Sequence, residues 1–435
     1  MSTAAPIASL PLPNSSQPPS PPPNPMSQPS PQYILLSFFI LILSALSYLP
    51  IYKQNILHGK SRPIAVEKLH SDKCTIISQT HNCFDIAVDR SENTAYLSCD
   101  PSNFAHLHTL NRASLLPQNE PDGAVYKYSS GSPVEKLEIR GIPHAFHPLG
   151  LFIHNGLLLI INYPNSTVFV VDVFQIQNNN ILLWKQSISD PLFNYPNKIA
   201  VVSDQPGTFL PSFYISNTYG LTGLWKSLEN RLFGRRGSVL FYNARIDAAS
   251  QVIWGLDFPS AVQVLDAGER LLISTMSAEI SEFRQHFTKD LMHVERVNNI
   301  EIYNPLFIAH SFKTLDIPID HIAISNSSIY AIGSSAYHLR TLSLQSSTLH
   351  HKKKVVPTTI YKLDAYYDIL LQNGSFIRTN DSNHAFIKAG GVMAKYSVQK
   401  ILQDDGEIVD NGKVVEFLSD GMVIAGDSVV FCSLL

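Results

Sequence analysis

A chain of 435 residues with 45% hydrophobic and only 15% charged side chains can bury one large core or two ordinary ones and still leave apolar sequence over. Its formal net charge of −3 provides no basic surface for a polyanion, which excludes nucleic acid as a partner. The basic run Lys352 to Lys354, behind His350 and His351, reads as a solvated loop between strands.

In chain order, residues 1–32 carry no charged side chain and are dominated by Pro, Ser, Asn and Gln, so they cannot bury enough apolar surface to fold and are expected to form a disordered tail. Residues 33–52 invert that composition. They are uncharged and mostly apolar, with Tyr33, Tyr48 and Tyr52 near the ends. About 20 residues rising 1.5 Å each give roughly 30 Å, the hydrocarbon thickness of a bilayer, so one transmembrane helix is expected. The rival is a cleaved signal peptide, but the run is longer than a usual apolar region of that kind and lacks a basic segment before it or a small-x-small site after it. Residues 53–70 read as a linker.

Orientation is contested. Lys53, Lys60 and Arg62 follow the span with nothing charged before it, which by the positive-inside rule places the following domain in the cytosol. Four cysteines and the four Asn-x-Ser/Thr sequons that follow the span, at Asn165, Asn326, Asn373 and Asn380, argue for the lumen of the secretory pathway, in the endoplasmic reticulum or at the cell surface, and we take that side.

From residue 71 onward the chain is a succession of short strands with turn chemistry between them. Residues 84–89, 94–98, 124–128 and 134–139 form one group of four, and the cadence repeats at 150–153, 157–162, 167–174 and 181–187. Further groups fall at 198–202, 213–217, 238–244 and 252–256, then at 261–265, 270–275, 280–284 and 294–301, then at 321–324, 328–332, 339–344 and 358–363. A last group, 414–418, 422–425 and 429–432, needs a strand from the start of the domain to complete it. Four strands at a period of roughly 50 residues mean an all-β, six-bladed propeller over 71–435. Such a ring closes by pairing both termini in one blade, so Cys74 and Cys432 are expected to form a disulfide there. Cys83 and Cys99 flank a hairpin symmetrically, and either a bond or two reduced core thiols suits their spacing. One segment breaks the pattern: Leu221, Leu224, Trp225, Leu228 and Leu232 recur at helical spacing and predict a helical insertion over one face. The stretch Phe193 to Gly220 enters a blade from the channel with Asn197 at its start, the natural place for a polar side chain to point inward.

The stretches Phe84-Asp85-Ile-Ala-Val, Phe146-His-Pro-Leu-Gly150, Asn162-Tyr-Pro164, Phe193 to Val201, Phe213 to Asn217 and Ile319-Asp-His-Ile-Ala-Ile324 resemble the paraoxonase/arylesterase family of calcium-dependent hydrolases and lactonases. That resemblance implies a six-bladed propeller with calcium in its channel, hydrolysing small-molecule esters or lactones. Carried over residue by residue, Asn197, Asp320 and Asp85 match family ligand positions, Asp85 that of a second, structural calcium. Ser260 and His321 stand where the family has Asn, Phe84 where it has a catalytic-site Glu, and Lys198 where it has an Asp of the structural calcium site. Leu149 and Tyr163 replace the family's His pair. Calcium takes six to eight oxygens, several of them anionic, so the resemblance implies a calcium site weakened or lost. His144, His147 and His321 are candidate bases. Two functions follow: a divergent, membrane-anchored ester or lactone hydrolase, or a non-catalytic propeller used as a binding or scaffold domain.

Overall fold

The computed structural model describes residues 35–44, 66, 68–78, 80, 82–102, 122–165, 167–177, 180–203, 208–221, 236–265, 268–286, 293–297, 300–304, 306–334, 356–370, 376–379 and 395–433. By internal contacts the chain divides into two units, residues 1–48 and 49–435. In the first, residues 35–44 are helical and exposed. No helix among the described residues is long and apolar enough to cross a membrane.

The second unit is a six-bladed β-propeller. Apolar residues in short runs form strands because each strand is covered on both faces by neighbouring sheets. Blade 1 comprises Cys83–Asp89, Thr94–Cys99, Ala124–Ser129 and Glu135–Lys136, from the channel outward. Blade 2 comprises Pro148–His154, Leu157–Asn162, Val170–Gln177 and Ile181–Ile188, with Glu138–Arg140 added in parallel at its edge. Blade 3 comprises Pro196–Ser203, Ser212–Asn217, Gly237–Asn243 and Ala248–Leu256.

The expected strand 134–139 is split, Glu135–Lys136 staying in blade 1 and Glu138–Arg140 crossing to blade 2, and two further blades depart from the expected cadence. The outer strand of blade 4, after Pro259–Leu265, Arg270–Thr275 and Glu279–His286, is Leu306–Thr314; the segment expected there instead contributes to a separate hairpin, His293–Val297 with Ile300–Asn304. In blade 5, Ile319–Ser325 and Ser328–Gly333 are followed by Thr358–Leu370 as third strand and Lys395–Asp404 as fourth. Thr358–Leu370 runs on to pair with Phe376–Thr379 at its far end. The physical reason is the same in both blades: alternation marks a segment as a strand but not which neighbour it hydrogen-bonds, and long insertions shift that assignment. The expected strand at 339–344, the expected helix over 221–232 beyond its first residue, and the sequons Asn373 and Asn380 lie outside the described residues.

Blade 6 draws from both ends of the unit. Val414–Phe417, Gly421–Ala425 and Val429–Ser433 are completed by Cys74–Ser78, paired so that Cys74 faces Cys432, and a disulfide joins the two. A second disulfide links Cys83 and Cys99 across the first hairpin of blade 1. The core is distributed rather than central. Six apolar clusters occupy the six blade interfaces, for example Leu159, Val173, Phe213 and Tyr242 between blades 2 and 3, and Ile332, Leu402, Val415 and Ile424 between blades 5 and 6. Close approach at the centre needs small residues: a Cβ on Gly150 would lie 2.2 Å from the Asn197 carbonyl oxygen of the next blade.

Candidate functional site

Each inner strand runs from the loop joining it to the preceding blade towards its own first hairpin, so six strands place equivalent positions in layers around the channel. Asp85 of blade 1, Lys198 of blade 3 and His321 of blade 5 share one layer and are buried. The Lys198 ammonium makes a short ion pair with Asp85 Oδ1 and donates to the Phe84 carbonyl at 3.3 Å. His321 Nε2 lies 3.8 Å from the same carboxylate oxygen. Asp85 also accepts from the Ile86 amide at 2.9 Å and, through Oδ2, from the Leu151 amide of blade 2 at 2.8 Å. Burial pushes the Asp85 carboxyl up and the Lys198 ammonium down, both towards neutrality, and their mutual attraction opposes both shifts. Burial first, and the Lys198 charge second, hold His321 well below the usual imidazole range, so its ring is neutral.

Glu416, on the inner strand of blade 6, completes the set. Burial and then the Asp85 carboxylate push its carboxyl up to about 8, against the pull of Arg90 and Lys198. Sequence reasoning passed over it. The signal was a lone carboxylate inside the apolar run Val-Val-Glu-Phe-Leu.

Of the residues carried over as calcium ligands, Asn197, Ser260 and Asp85 are spent on tying blades together. The Asn197 amide donates to the Ser260 carbonyl at 3.1 Å, from blade 3 to blade 4. The Ser260 hydroxyl lies 2.9 Å from Ser274 Oγ and donates to the Ile319 carbonyl of blade 5 at 2.7 Å. Asp85 ties blade 1 to blade 2 through Leu151. Asp320, beside His321 in the strand, is half-buried and contributes to the field at Lys198. Nor do the three other departures stand alone. Phe84, Leu149 and Tyr163 belong to one apolar cluster, with the Tyr163 hydroxyl on the Pro196 carbonyl at 2.8 Å and the Lys413 ammonium 4.3 Å from the centre of the Phe84 ring.

These donors do not fit a resident calcium. Both Asp85 oxygens and the Ser260 hydroxyl already have protein partners, and an ammonium stands against the one fully buried carboxylate of the layer. Among the described residues no three His, Cys, Asp or Glu side chains are grouped to hold a metal ion.

The other candidate bases lie apart, where blade 1 passes to blade 2. His147 Nδ1 is 3.3 Å from the fully buried Asp100, and His144 Nε2 is 3.2 Å from the fully buried Asp172. Asn162 joins the two pairs, accepting from the His147 amide at 2.7 Å and donating to Asp172 at 2.8 Å, while Trp184 and Ser187 donate to Asp172 as well. Satisfied on every side, this network locks the outer strands of blade 2 to the loop before it. Asn165 and Asn326 are both exposed, Asn165 in a loop of blade 2 and Asn326 in the first hairpin of blade 5.

No protein-family model matches the chain, and no curated protein matches it. Among solved structures it is similar to a candidate gluconolactonase, with 10% identity over 85% of this chain and 93% of the other at a TM-score of 0.42. It is also similar to a candidate 6-phosphogluconolactonase from Bacteroides uniformis, with 11% identity over 78% and 77% at a TM-score of 0.37. The β-propeller domain of Myceliophteria thermophila Cps50 (Swd1) gives 10% identity over 83% and 100% at a TM-score of 0.41. Likeness at this level carries no inference about chemistry, and the blade count rests on the strand topology itself.

Proposed function

We propose that this chain is a metal-independent propeller that hydrolyses a small ester or lactone in its central channel. The observation that carries the reading is the grouping of Asp85, Lys198, His321 and Glu416 along one cavity. At neutral pH the His321 ring is unprotonated and the Glu416 carboxyl protonated, which is the division of labour that acid–base hydrolysis needs. His321 takes a proton from water as its oxygen bonds to the carbonyl carbon, and the Lys198 charge stabilises the developing oxyanion. As the carbon–oxygen bond to the leaving group breaks, Glu416 protonates the departing oxygen. The proton on His321 then returns to Glu416 through water, leaving an acid and an alcohol, or a hydroxy acid from a lactone.

Turnover of aryl esters and simple lactones by the purified full chain, measured with and without a chelator, tests this. The expected result is chelator-insensitive turnover that falls by about a hundredfold or more in His321→Gln and in Glu416→Gln. No turnover across the panel would sink it. A binding or scaffold role is the second reading, favoured by one observation: Phe84, Leu149 and Tyr163 replace the family's chemistry with packing.

The same reading places the propeller on the lumenal side of a membrane, tethered by residues 33–52. The four cysteines support it, because all of them are paired and disulfides persist in oxidising compartments.

A further inference from the structure

A second cavity, of about 780 Å³, lies against the face of blade 3 that turns to blade 2, at the end of the blade away from its first hairpin. Backbone geometry in the outer strand shapes it. Along Ala248–Leu256 the ladder pairs Trp254 with Ser238 and Leu256 with Gly237, which leaves Gly255 unpaired at φ +78° as a bulge. The extra residue returns Leu256 to the side of Ile253 and Val239, in the apolar cluster between blades 3 and 4, and leaves Trp254 on the other side, opposite the small Ser238. Trp254 is 66% exposed, more than any other large apolar side chain described in the propeller, and Leu192, at 42%, lines the same cavity.

The polar groups of this wall are of two kinds. The described residues that line it include no carboxylate and one cation, Arg236, which is exposed and makes no ion pair with another described residue. Asn194 Oδ1 is buried without a hydrogen-bond partner, although its loop is held: the Asn194 amide donates to Asn217 Oδ1 at 3.1 Å and Asn217 Nδ2 donates to the Leu192 carbonyl at 2.8 Å. We infer that the cavity binds a hexuronic acid, a pyranose ring bearing a carboxylate. Each group of the wall asks for one part of such a ligand. The Trp254 ring is a flat apolar platform for the hydrogen-bearing face of the sugar, and the Arg236 guanidinium is a fork that matches a carboxylate. Asn194 Oδ1 needs a donor, which a ring hydroxyl supplies and a simple aromatic acid lacks. The volume lies within the range of small-molecule sites, roughly 300–1,000 Å³. Binding here is separate from the channel chemistry and stands with or without turnover there.

The probes are methyl β-glucuronide, its neutral counterpart methyl β-glucoside, and benzoate, each titrated against the full chain at pH 7 by saturation-transfer NMR. The wild type should bind the glucuronide about tenfold more tightly than the glucoside, the gain expected of one charge-assisted pair, and saturation should fall most strongly on the ring hydrogens of one face. Arg236→Gln should erase that preference and keep the weaker glucoside binding, whereas Trp254→Ala should weaken both sugars by about tenfold or more. Both side chains are exposed, so neither change should disturb folding, which an unaltered melting temperature would verify. Absence of sugar binding by the wild type would overturn the assignment, as would a preference that survives in Arg236→Gln or sugar binding that survives intact in Trp254→Ala. Benzoate binding more tightly than the glucuronide would overturn it too, by making an aromatic acid the better fit. If either variant fails to fold, the wild-type ranking of the three probes decides alone.

Discussion

At the scale of single residues, the channel is divided by the buried ion pair of Asp85 and Lys198. Removing one member of such a pair strands the other, which costs about 3–5 kcal/mol, while replacing both by neutral groups of similar shape can be nearly free. Lys198→Met should therefore lower stability by about 3–5 kcal/mol in urea unfolding, and adding Asp85→Asn should restore most of it. Because the ammonium already neutralises Asp85, millimolar calcium should leave the wild-type melting temperature unchanged. A rise of many degrees that Asp85→Asn abolishes would show that a metal competes for the carboxylate. Glu416 and His321 predict the pH profile. Glu416 has an ordinary value of 4.5 and about 8 in the fold, so between those values the folded state holds a proton that the unfolded state has lost, and stability falls as pH rises. His321 acts oppositely: below its ordinary 6.5 the unfolded chain gains a proton that the fold refuses, so stability falls on acidification. The two oppose one another below pH 6.5, and of these two only Glu416 still changes its charge from 6.5 to 8. There its contribution should decline by up to about 1.4 kcal/mol per pH unit, and Glu416→Gln should remove that slope.

At the scale of elements, the blades are held by apolar interfaces, by polar ties between inner strands, and by one covalent closure. The closure spans a sequence separation of 358 residues, against 16 for the Cys83–Cys99 bond. Chain entropy gives roughly 6 kcal/mol for the first and roughly 3 for the second as upper bounds. Cys74→Ser with Cys432→Ser should thus be the more damaging pair, costing about 2–5 kcal/mol, and equal effects would mean that ring closure is not what the first bond contributes. The inner contact at Gly150 is a second test: Gly150→Ala should cost about 1–3 kcal/mol by forcing blades 2 and 3 apart. Much of this architecture was legible beforehand, since the strand cadence and the position of Cys432 near the C-terminus depend on local alternation and on the geometry of a closed ring. What stayed hidden was decided between strands. Asn197 and Ser260 were carried over as ligand positions by the family resemblance, yet their atoms are consumed by the backbone of the next blade. Glu416 was passed over because nothing near it in the chain reveals that Asp85 stands beside it on the inner strand of the adjacent blade.

At the scale of the whole molecule, the propeller must be reconciled with the apolar N-terminal run, and the two signals for orientation disagree. Lys53, Lys60 and Arg62 favour a cytosolic propeller, by a bias that acts on short flanking segments. The cysteines speak for the other side and do so through the fold: two of the four close the ring, and a reducing compartment would work against both bonds. Closure of a ring is a strong requirement, whereas three cations over ten residues are a modest bias, so the lumenal placement is the one to test. The full chain should remain with membranes after alkaline extraction, and deletion of residues 33–52 should release it. Exposed Asn165 and Asn326 should then carry glycans, visible as an endoglycosidase-sensitive mobility shift that shrinks stepwise in Asn165→Gln and Asn326→Gln. Resistance to the endoglycosidase, together with labelling of all four thiols in intact, reducing cytosol, would put the propeller on the cytosolic side and leave ring closure to packing alone.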